Sequence, residues 1–423
     1  MIVPSIDLMN GHAVQLIGGE QQAIDAGDPR PIAERFALAG EIAVIDLDAA
    51  MGTGSNAGVI EELVRIAPCR VGGGIRSREA ALRWLDAGAE KIILGTAATP
   101  ELLSTLPRER LIAALDSRHD RIVTEGWKTA TEQRTAPRME ELRGLVSGFL
   151  VTFVEHEGRM GGLPIDRARA LLPHAGSARV TAAGGVRSVE EVAALDRLGI
   201  DAQVGMALYS GAIGLADAIA APLTTDRRDG LWPTIVCDEQ GVALGLAYSS
   251  AASLREAVGS RTGVYWSRSR GALWRKGATS GAAQVLLRID LDCDRDTLRF
   301  TVRQAGPGFC HSGTRTCFGE SRGLAALARR ISRRLADAPP APGSYTQRLL
   351  QDPGLLRAKL VEEAGELAEA LAPEHAVHEA ADLLYFALTA LARAGGDLLA
   401  VERELDRRAL TISRRPGHAK PTS

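Results

Sequence analysis

The chain carries almost no excess charge: 50 Lys and Arg stand against 52 Asp and Glu in 423 residues, a net of −2. With no long basic block to offset the acids, a general nucleic-acid binder is argued against. Long apolar runs are missing too; none approaches the ~18–20 residues of a membrane span. The first residues reach Asp7 too soon for the apolar core of a signal peptide. Cysteine is scarce, five in all, and no spacing suggests disulfide pairs. That usage points to a reducing, cytoplasmic setting. The length exceeds the ~100–200 residues usual for one domain, so two to four are expected. Residues 221–228 read as a linker and the proline-rich 338–344 as a second break, with a short basic tail from Ser413. The domains expected are therefore 1–222, 226–337 and 344–415.

Three of the five cysteines share one short window. Asp292-Cys293-Asp294-Arg295-Asp296 is followed by Cys310-His311 and then Cys317, with sixteen and six residues between successive cysteines. Residues 283–289 are rich in aliphatic and β-branched side chains and read as a strand. If the extended backbone continues, Asp292, Asp294 and Asp296 share one face and Cys293 the other. Three carboxylates on one face call for a hard cation, most simply Mg²⁺. Three thiolates call for Zn²⁺ and leave a fourth position for water. An acidic turn beside inert cysteines or a structural zinc is the alternative. Upstream, Arg268, Arg270, Lys276, Thr279 and Ser280, among glycines, make a phosphate cradle.

These residues, with Gln304, Gly306 and Gly308-Phe309-Cys310-His311, resemble the phosphoribosyl-AMP cyclohydrolase family of histidine biosynthesis, above all its fungal fused form. The resemblance runs over about 226–319. It implies a mainly-β domain, zinc on Cys293, Cys310 and Cys317, magnesium on the three aspartates, and His311 as a catalytic group. It also implies a homodimer through this domain, with the zinc site completed across the interface. Ala278 departs from the Glu that many members carry.

Residues 1–222 alternate short apolar runs with helical stretches. Strands are expected at 2–8, 42–48, 69–73, 91–95, 111–116, 148–154, 179–183 and 202–205, which points to a (β/α)₈ TIM barrel, with a doubly wound sheet as the alternative. The block repeats itself. Gly73-Gly74-Ile75-Arg76-Ser77 returns as Gly184-Gly185-Val186-Arg187-Ser188, 111 residues later, and Asp7 is matched by Asp116 after 109. Such offsets describe two half-barrels. Glycine turns at strand ends let backbone N–H groups approach phosphate. Gly73 and Gly74 with Gly95-Thr96, and Gly184 and Gly185 with Gly205, would hold a ligand phosphorylated at both ends. Mere tight turns are the alternative.

This block resembles the barrel isomerases of histidine biosynthesis, which perform an Amadori rearrangement on a bisphosphorylated ribotide. The resemblance implies Asp7 as base and Asp116 as acid, with Thr152 and Trp127 on the substrate. Two departures stand in it: Glu157-Gly158-Arg159 where bacterial members have Asp-Gly-Thr, and Gln15 where a basic residue is common.

The last block carries a helical apolar stripe of Leu356, Leu360, Leu367 and Leu371. Glu362, Glu363 and Glu366 lie on that helix, and Glu379 and Asp382 on the next. Stacked like charges destabilise a helix unless something neutralises them, so two such helices suggest a shared Mg²⁺; a solvated acidic face is the alternative. The pattern, with Ser344-Tyr345-Thr346-Gln347-Arg348-Leu349 and Lys359, resembles the all-α MazG-like pyrophosphohydrolases, here of phosphoribosyl-ATP, over 344–415. Together the resemblances imply three consecutive steps of one pathway acting on phosphorylated nucleotide substrates. Two rivals remain: a bifunctional enzyme with a non-catalytic barrel scaffold, and a metal-responsive nucleotide-binding protein.

Overall fold

The computed structural model describes residues 1–124, 127, 129–319, 322–336 and 343–413. Most of the proline-rich break at 338–344 and all of the tail beyond Ser413 therefore lie outside the described residues. Compactness divides the chain into two units: 1–237 with 246–306 and the segment from 410, and 238–245 with 307–409.

In the first unit eight parallel strands close on themselves. Ile2–Met9 pairs with Ile42–Asp46, then Cys69–Gly72, Lys91–Leu94, Leu111–Arg118, Gly148–Phe153, Arg179–Ala183 and Asp201–Val204, which returns to Ile2–Met9. All eight expected strands are present, and closure sets aside the doubly wound sheet. The second strand is shorter than expected. It ends at Asp46, whose side chain accepts the Ala49 N–H and starts the helix Leu47–Met51. Ile93, Ile112, Leu150 and Ala183 pack into one apolar cluster with Ile45 and Ala114.

The internal repeat has a physical content. Gly73 and Gly184 both adopt φ +95°, where a Cβ would fall 2.2 Å from the Asp46 carbonyl oxygen and 2.5 Å from that of Phe153. Only glycine fits there. Ser77 and Ser188 then cap the helices Arg78–Ala87 and Val189–Arg197 by accepting the N–H three residues on. Each half also inserts an antiparallel hairpin after its first strand, His12–Ile17 with Gln21–Gly27 and Arg121–Thr124 with Thr129–Arg134. At the opposite end of the strands the halves share a buried cation. Arg70 donates to Glu41 from Nε and Nη2 (2.8 and 2.5 Å) and to Thr181 Oγ1 from Nη1 (3.0 Å), with Asp201 3.6 Å away.

A four-stranded sheet follows in the order Ala243–Ser249, Trp232–Asp238, Leu298–Gln304, Gln284–Leu291, its last two strands antiparallel, and Val264–Ser267 with Ala272–Arg275 forms a separate antiparallel hairpin. The strand expected at 283–289 runs Gln284–Leu291. The extended backbone does not continue into the aspartates. Residues 293–296 bend sharply, with Arg295 at φ +65°, and lead into the returning strand.

The second unit is mostly helical: Gly323–Ala336, Tyr345–Gln351, Pro353–Glu369, Pro373–Arg393 and the helix Leu398–Leu410 up to Ala409. Leu349, Leu356 and Phe386 form one core cluster, with Leu360 packed against it. The expected stripe breaks at Leu371, which lies past the helix end and is 99% exposed. No single described helix is long and apolar enough to cross a membrane.

Candidate active sites

The barrel mouth gathers carboxyl groups at the C-terminal strand ends. Asp7, on the first strand, accepts from Ser5 Oγ (3.1 Å), and burial pushes its carboxyl up to about 6. Asp116, on the fifth, is raised by burial, while hydrogen bonds from Trp127 and Thr152 pull the other way. Thr152 lies opposite Asp116 in the parallel register, which explains the contact. A third acid belongs to this group. Glu157 is pushed up to about 8, first by desolvation and then by the negative charges of Asp7 and Asp116. Its loop is fixed because the Gly18 N–H donates to the Glu157 carbonyl (3.2 Å), and Gly158, at φ +70°, packs against the backbone of Leu16. The sequence shows Glu157 only as a departure from a motif; its facing of both aspartates is a tertiary fact.

The glycine turns are not equivalent. Gly74 and Gly185 both have positive φ with atoms under 3 Å from a would-be Cβ. Gly205 precedes the helical turn Met206–Tyr209, and a Cβ there would meet Gln15 Oε1 at 2.4 Å. Gln15, buried, donates to the Val14 carbonyl (2.9 Å). Gly95 has nothing within 4 Å of its would-be Cβ, and with Thr96 it lies in an exposed turn that no helix follows directly. Sequence reasoning also missed Asp46, Asp48 and Asn56: Asn56 Nδ2 donates to Asp46 Oδ1 (2.7 Å) and Asp48 Oδ2 (2.9 Å), bracing the loop after the first strand. Backbone N–H groups of Asn10 and Gly11 complete that brace.

Asp292, Asp294 and Asp296 come together by a turn rather than a shared strand face, with one carboxylate oxygen from each within 4.8 Å of the others. Asp292 Oδ1 accepts the N–H groups of Asp296 (3.0 Å) and Thr297 (3.1 Å), and these bonds hold its carboxyl below the usual range against the cost of burial. Cys293 beside them is exposed. Arg268 lies over the Tyr248 ring at 3.9 Å, and Arg270 Nε donates to Ser267 Oγ (3.1 Å). Lys276 Nζ stands 5.7 Å from the Trp274 ring centre, while Thr279 and Ser280 are exposed on the following turn, where Ser280 Oγ accepts the Ala282 N–H.

In the second unit a tight loop carries Cys310, His311 and Cys317. The Phe309 and Cys310 N–H groups donate to the carbonyls of Arg315 and Thr314, and the Cys317 N–H donates to that of Leu244 (2.8 Å). Arg315 Nη2 ties the loop to Asp238 (2.7 Å). Cys310 Sγ is 3.0 Å from Ser312 Oγ and 4.0 Å from His311 Nδ1. Hydrogen bonds, that of Ser312 foremost and one to Cys317 among them, bring its thiol down to about 6, so a thiolate is available at neutral pH.

The helices Pro353–Glu369 and Pro373–Arg393 bring Glu363, Glu366 and Glu379 within 4.8 Å of one another, and His378, Glu379 and Asp382 likewise. Glu363 and Glu379 are buried. Lys359 Nζ pairs with Glu363 (2.7 Å) and Glu362 (2.9 Å); Glu363 belongs to the first cluster and Glu362 to neither. His375 Nε2 lies 3.0 Å from Glu379. The Glu366 carboxyl is raised, first by its hydrogen bond with Glu379 and then by desolvation and neighbouring carboxylates.

Comparison with known proteins agrees with this division of chemistry. A family model described as histidine biosynthesis protein matches residues 1–214, one for phosphoribosyl-AMP cyclohydrolase matches 245–319, and one for phosphoribosyl-ATP pyrophosphohydrolase matches 324–409. A histidine biosynthesis trifunctional protein of Komagataella pastoris is 52% identical over 207 residues, 49% of this chain and 24% of that protein. A histidine biosynthesis bifunctional protein of Schizosaccharomyces pombe is 50% identical over 208 residues, 49% of each. The chain thus spans between a quarter and a half of these fungal relatives. An imidazole-4-carboxamide isomerase of Methanosphaera stadtmanae is 32% identical over 233 residues, 52% of this chain and 98% of that protein. The chain belongs to the histidine biosynthesis protein family, with a barrel of the isomerase kind joined to cyclohydrolase and pyrophosphohydrolase segments.

Proposed function

We propose that the chain catalyses three consecutive steps of histidine biosynthesis. Its terminal helices release pyrophosphate from phosphoribosyl-ATP, its middle segment opens the purine ring of the product by hydrolysis, and its barrel isomerises the opened ribotide. The domains carrying these steps are 1–222, 226–337 and 344–415. The observation that carries the isomerase step, and opposes a scaffold barrel, is the retention of two desolvated aspartates at repeat-related strand ends of one mouth.

Asp7, with its carboxyl near 6, is mostly ionised at neutral pH and suits removal of the C2 proton. Asp116, raised by burial and held by Trp127 and Thr152, suits protonation of the ribose ring oxygen as the ring opens. The glycine turns at Gly73-Gly74 and Gly184-Gly185 offer backbone N–H groups to the two phosphates. In the cyclohydrolase segment Arg268, Arg270, Lys276, Thr279 and Ser280 bind substrate phosphate, and His311 serves proton transfer at the ring.

The donor sets fit metal ions. Cys310, whose hydrogen bonds bring its thiol down to about 6, Cys317 and Cys293 are soft donors of the kind that suits Zn²⁺. Asp292, Asp294 and Asp296 form a hard set suited to Mg²⁺, as do Glu363, Glu366, Glu379 and Asp382, with Glu362 at the margin. When bound, the cations supply water activation and neutralisation of phosphate charge. The raised Glu366 carboxyl supports this reading, since crowded carboxylates hold protons until a cation replaces them. The chain acts in the cytoplasm as a homodimer through its cyclohydrolase segment.

Feeding phosphoribosyl-ATP to the purified chain and following the products over time tests the whole. Sequential appearance of phosphoribosyl-AMP, the opened ribotide and its ketose isomer is expected. Accumulation of the opened ribotide would give the case to the scaffold barrel.

A further inference from the structure

Among the described residues, Arg295 is the side chain of the turn Asp292–Asp296 that hydrogen-bonds to the barrel. Arg295 donates from Nε to Asp196 Oδ2 (2.9 Å), from Nη2 to Asp196 Oδ1 (3.2 Å), and from Nη1 back to the Asp292 carbonyl (2.5 Å). Its own carbonyl accepts the Thr224 N–H (2.7 Å). The guanidinium therefore links a barrel carboxylate to the backbone of a proposed cation ligand, and it does so from a residue whose φ of +65° would ordinarily call for glycine or asparagine. The turn keeps arginine there despite the backbone cost.

Asp196 is equally out of place by local rules. It sits in the last turn of the helix Val189–Arg197, where the helix dipole disfavours a negative charge. Its partners explain it. Asp196 Oδ1 takes the Met1 amine at 2.8 Å, the same amine reaches Asp201 at 2.9 Å, and the carboxylate is only 8% exposed. The bidentate fork of Arg295 thus meets a carboxylate already fixed in position.

We propose that Asp196, acting through Arg295, is a positioning residue for the divalent cation held by Asp292, Asp294 and Asp296, so that the isomerase-type barrel preorganises a site belonging to the cyclohydrolase segment. The inference rests on the reading of that turn as a cation site. Fixing Arg295 fixes the Asp292 carbonyl and the bend that brings the three carboxylates together; a freed turn would have to be gathered by the cation itself, which weakens binding.

The test uses the full chain carrying Glu363→Gln and Glu379→Gln, so that the helical acids contribute no cation, and counts free Mn²⁺ by electron paramagnetic resonance. One Mn²⁺ should bind and be lost with Asp294→Asn. Asp196→Asn and Arg295→Gly should each weaken it tenfold to a hundredfold, with the double variant no weaker than the worse single one. Arg295→Gly suits the left-handed backbone, so its loss of affinity reports the guanidinium rather than misfolding. Isomerisation by the barrel should be unchanged in both, and ring opening should return as divalent cation is raised. Unchanged Mn²⁺ affinity in Asp196→Asn and Arg295→Gly would overturn the positioning role alone. Absence of any Mn²⁺ sensitive to Asp294→Asn would overturn the cation reading and this role with it.

Discussion

The barrel mouth and the terminal helices both collect carboxylates, and they surround them differently. In the mouth Asp7, Asp116 and Glu157 are desolvated, and none has a cationic partner among the causes of its shift; all three are raised. On the helices Glu363 has the Lys359 ammonium at 2.7 Å, Glu379 and Asp382 have the imidazoles of His375 and His378 at 3.0 and 3.3 Å, and Glu366 is raised by its carboxylate neighbours. A dry carboxyl with a raised pKa suits proton transfer. A crowded, partly neutralised set suits a cation. The same side chain is fitted to two trades by what surrounds it.

The comparison breaks most visibly at the aspartates. Asp7→Asn and Asp116→Asn keep shape but cannot transfer a proton, so isomerisation should fall ~10²–10⁴-fold in single-turnover assays. Binding of the bisphosphate ribotide should survive in both. On the helices Glu379→Gln should instead lower Mg²⁺ affinity, read by calorimetry together with pyrophosphate release, by roughly tenfold or more, while leaving the barrel untouched. A helical fold with parental Mg²⁺ affinity would favour the solvated acidic face.

Glu157 sharpens the contrast through pH. Its carboxyl is raised from the ordinary range to about 8, so the folded chain binds a proton that the unfolded chain has released. Stability should therefore fall as pH climbs from about 4.5 through 8, and Glu157→Gln should flatten that slope in urea-midpoint measurements. The smallest effects belong to the repeat. Gly184→Ala should cost about 1–3 kcal/mol, because its Cβ would meet the Phe153 carbonyl in a left-handed backbone. Gly95→Ala, with open space around it, should stay within ~0.5 kcal/mol by denaturation.

The barrel was legible because its strands are buried on both sides and its repeat puts glycine and serine where backbone geometry and helix capping require them. Gly73, Ser77, Gly184 and Ser188 carry their reasons locally. The site was legible only where one short segment supplies it, as in the Glu363 and Glu379 helices. The aspartates were found, but not their geometry: residue alternation suggested a strand face, whereas Arg295 in the left-handed region makes a turn. Leu371 shows the same limit, since periodicity cannot see where the helix stops at Glu369. Glu157 and Asn56 act across elements far apart in sequence, and no local pattern announces them.

Arg70 gives the duplicated barrel an asymmetry of inheritance. Each half carries its own strands, glycine turns and serine caps, so most substitutions would be felt only in the half where they arise. The buried guanidinium is one of the places where the halves meet, lying in the first half while hydrogen-bonding Thr181 and facing Asp201 in the second. Glu41 answers the guanidinium from the first half and Arg179 answers Asp201 from the second, so each half also holds a partner of its own. The two copies can drift apart where their contacts stay within one half, but where a side chain of one is answered by the other they have to change together.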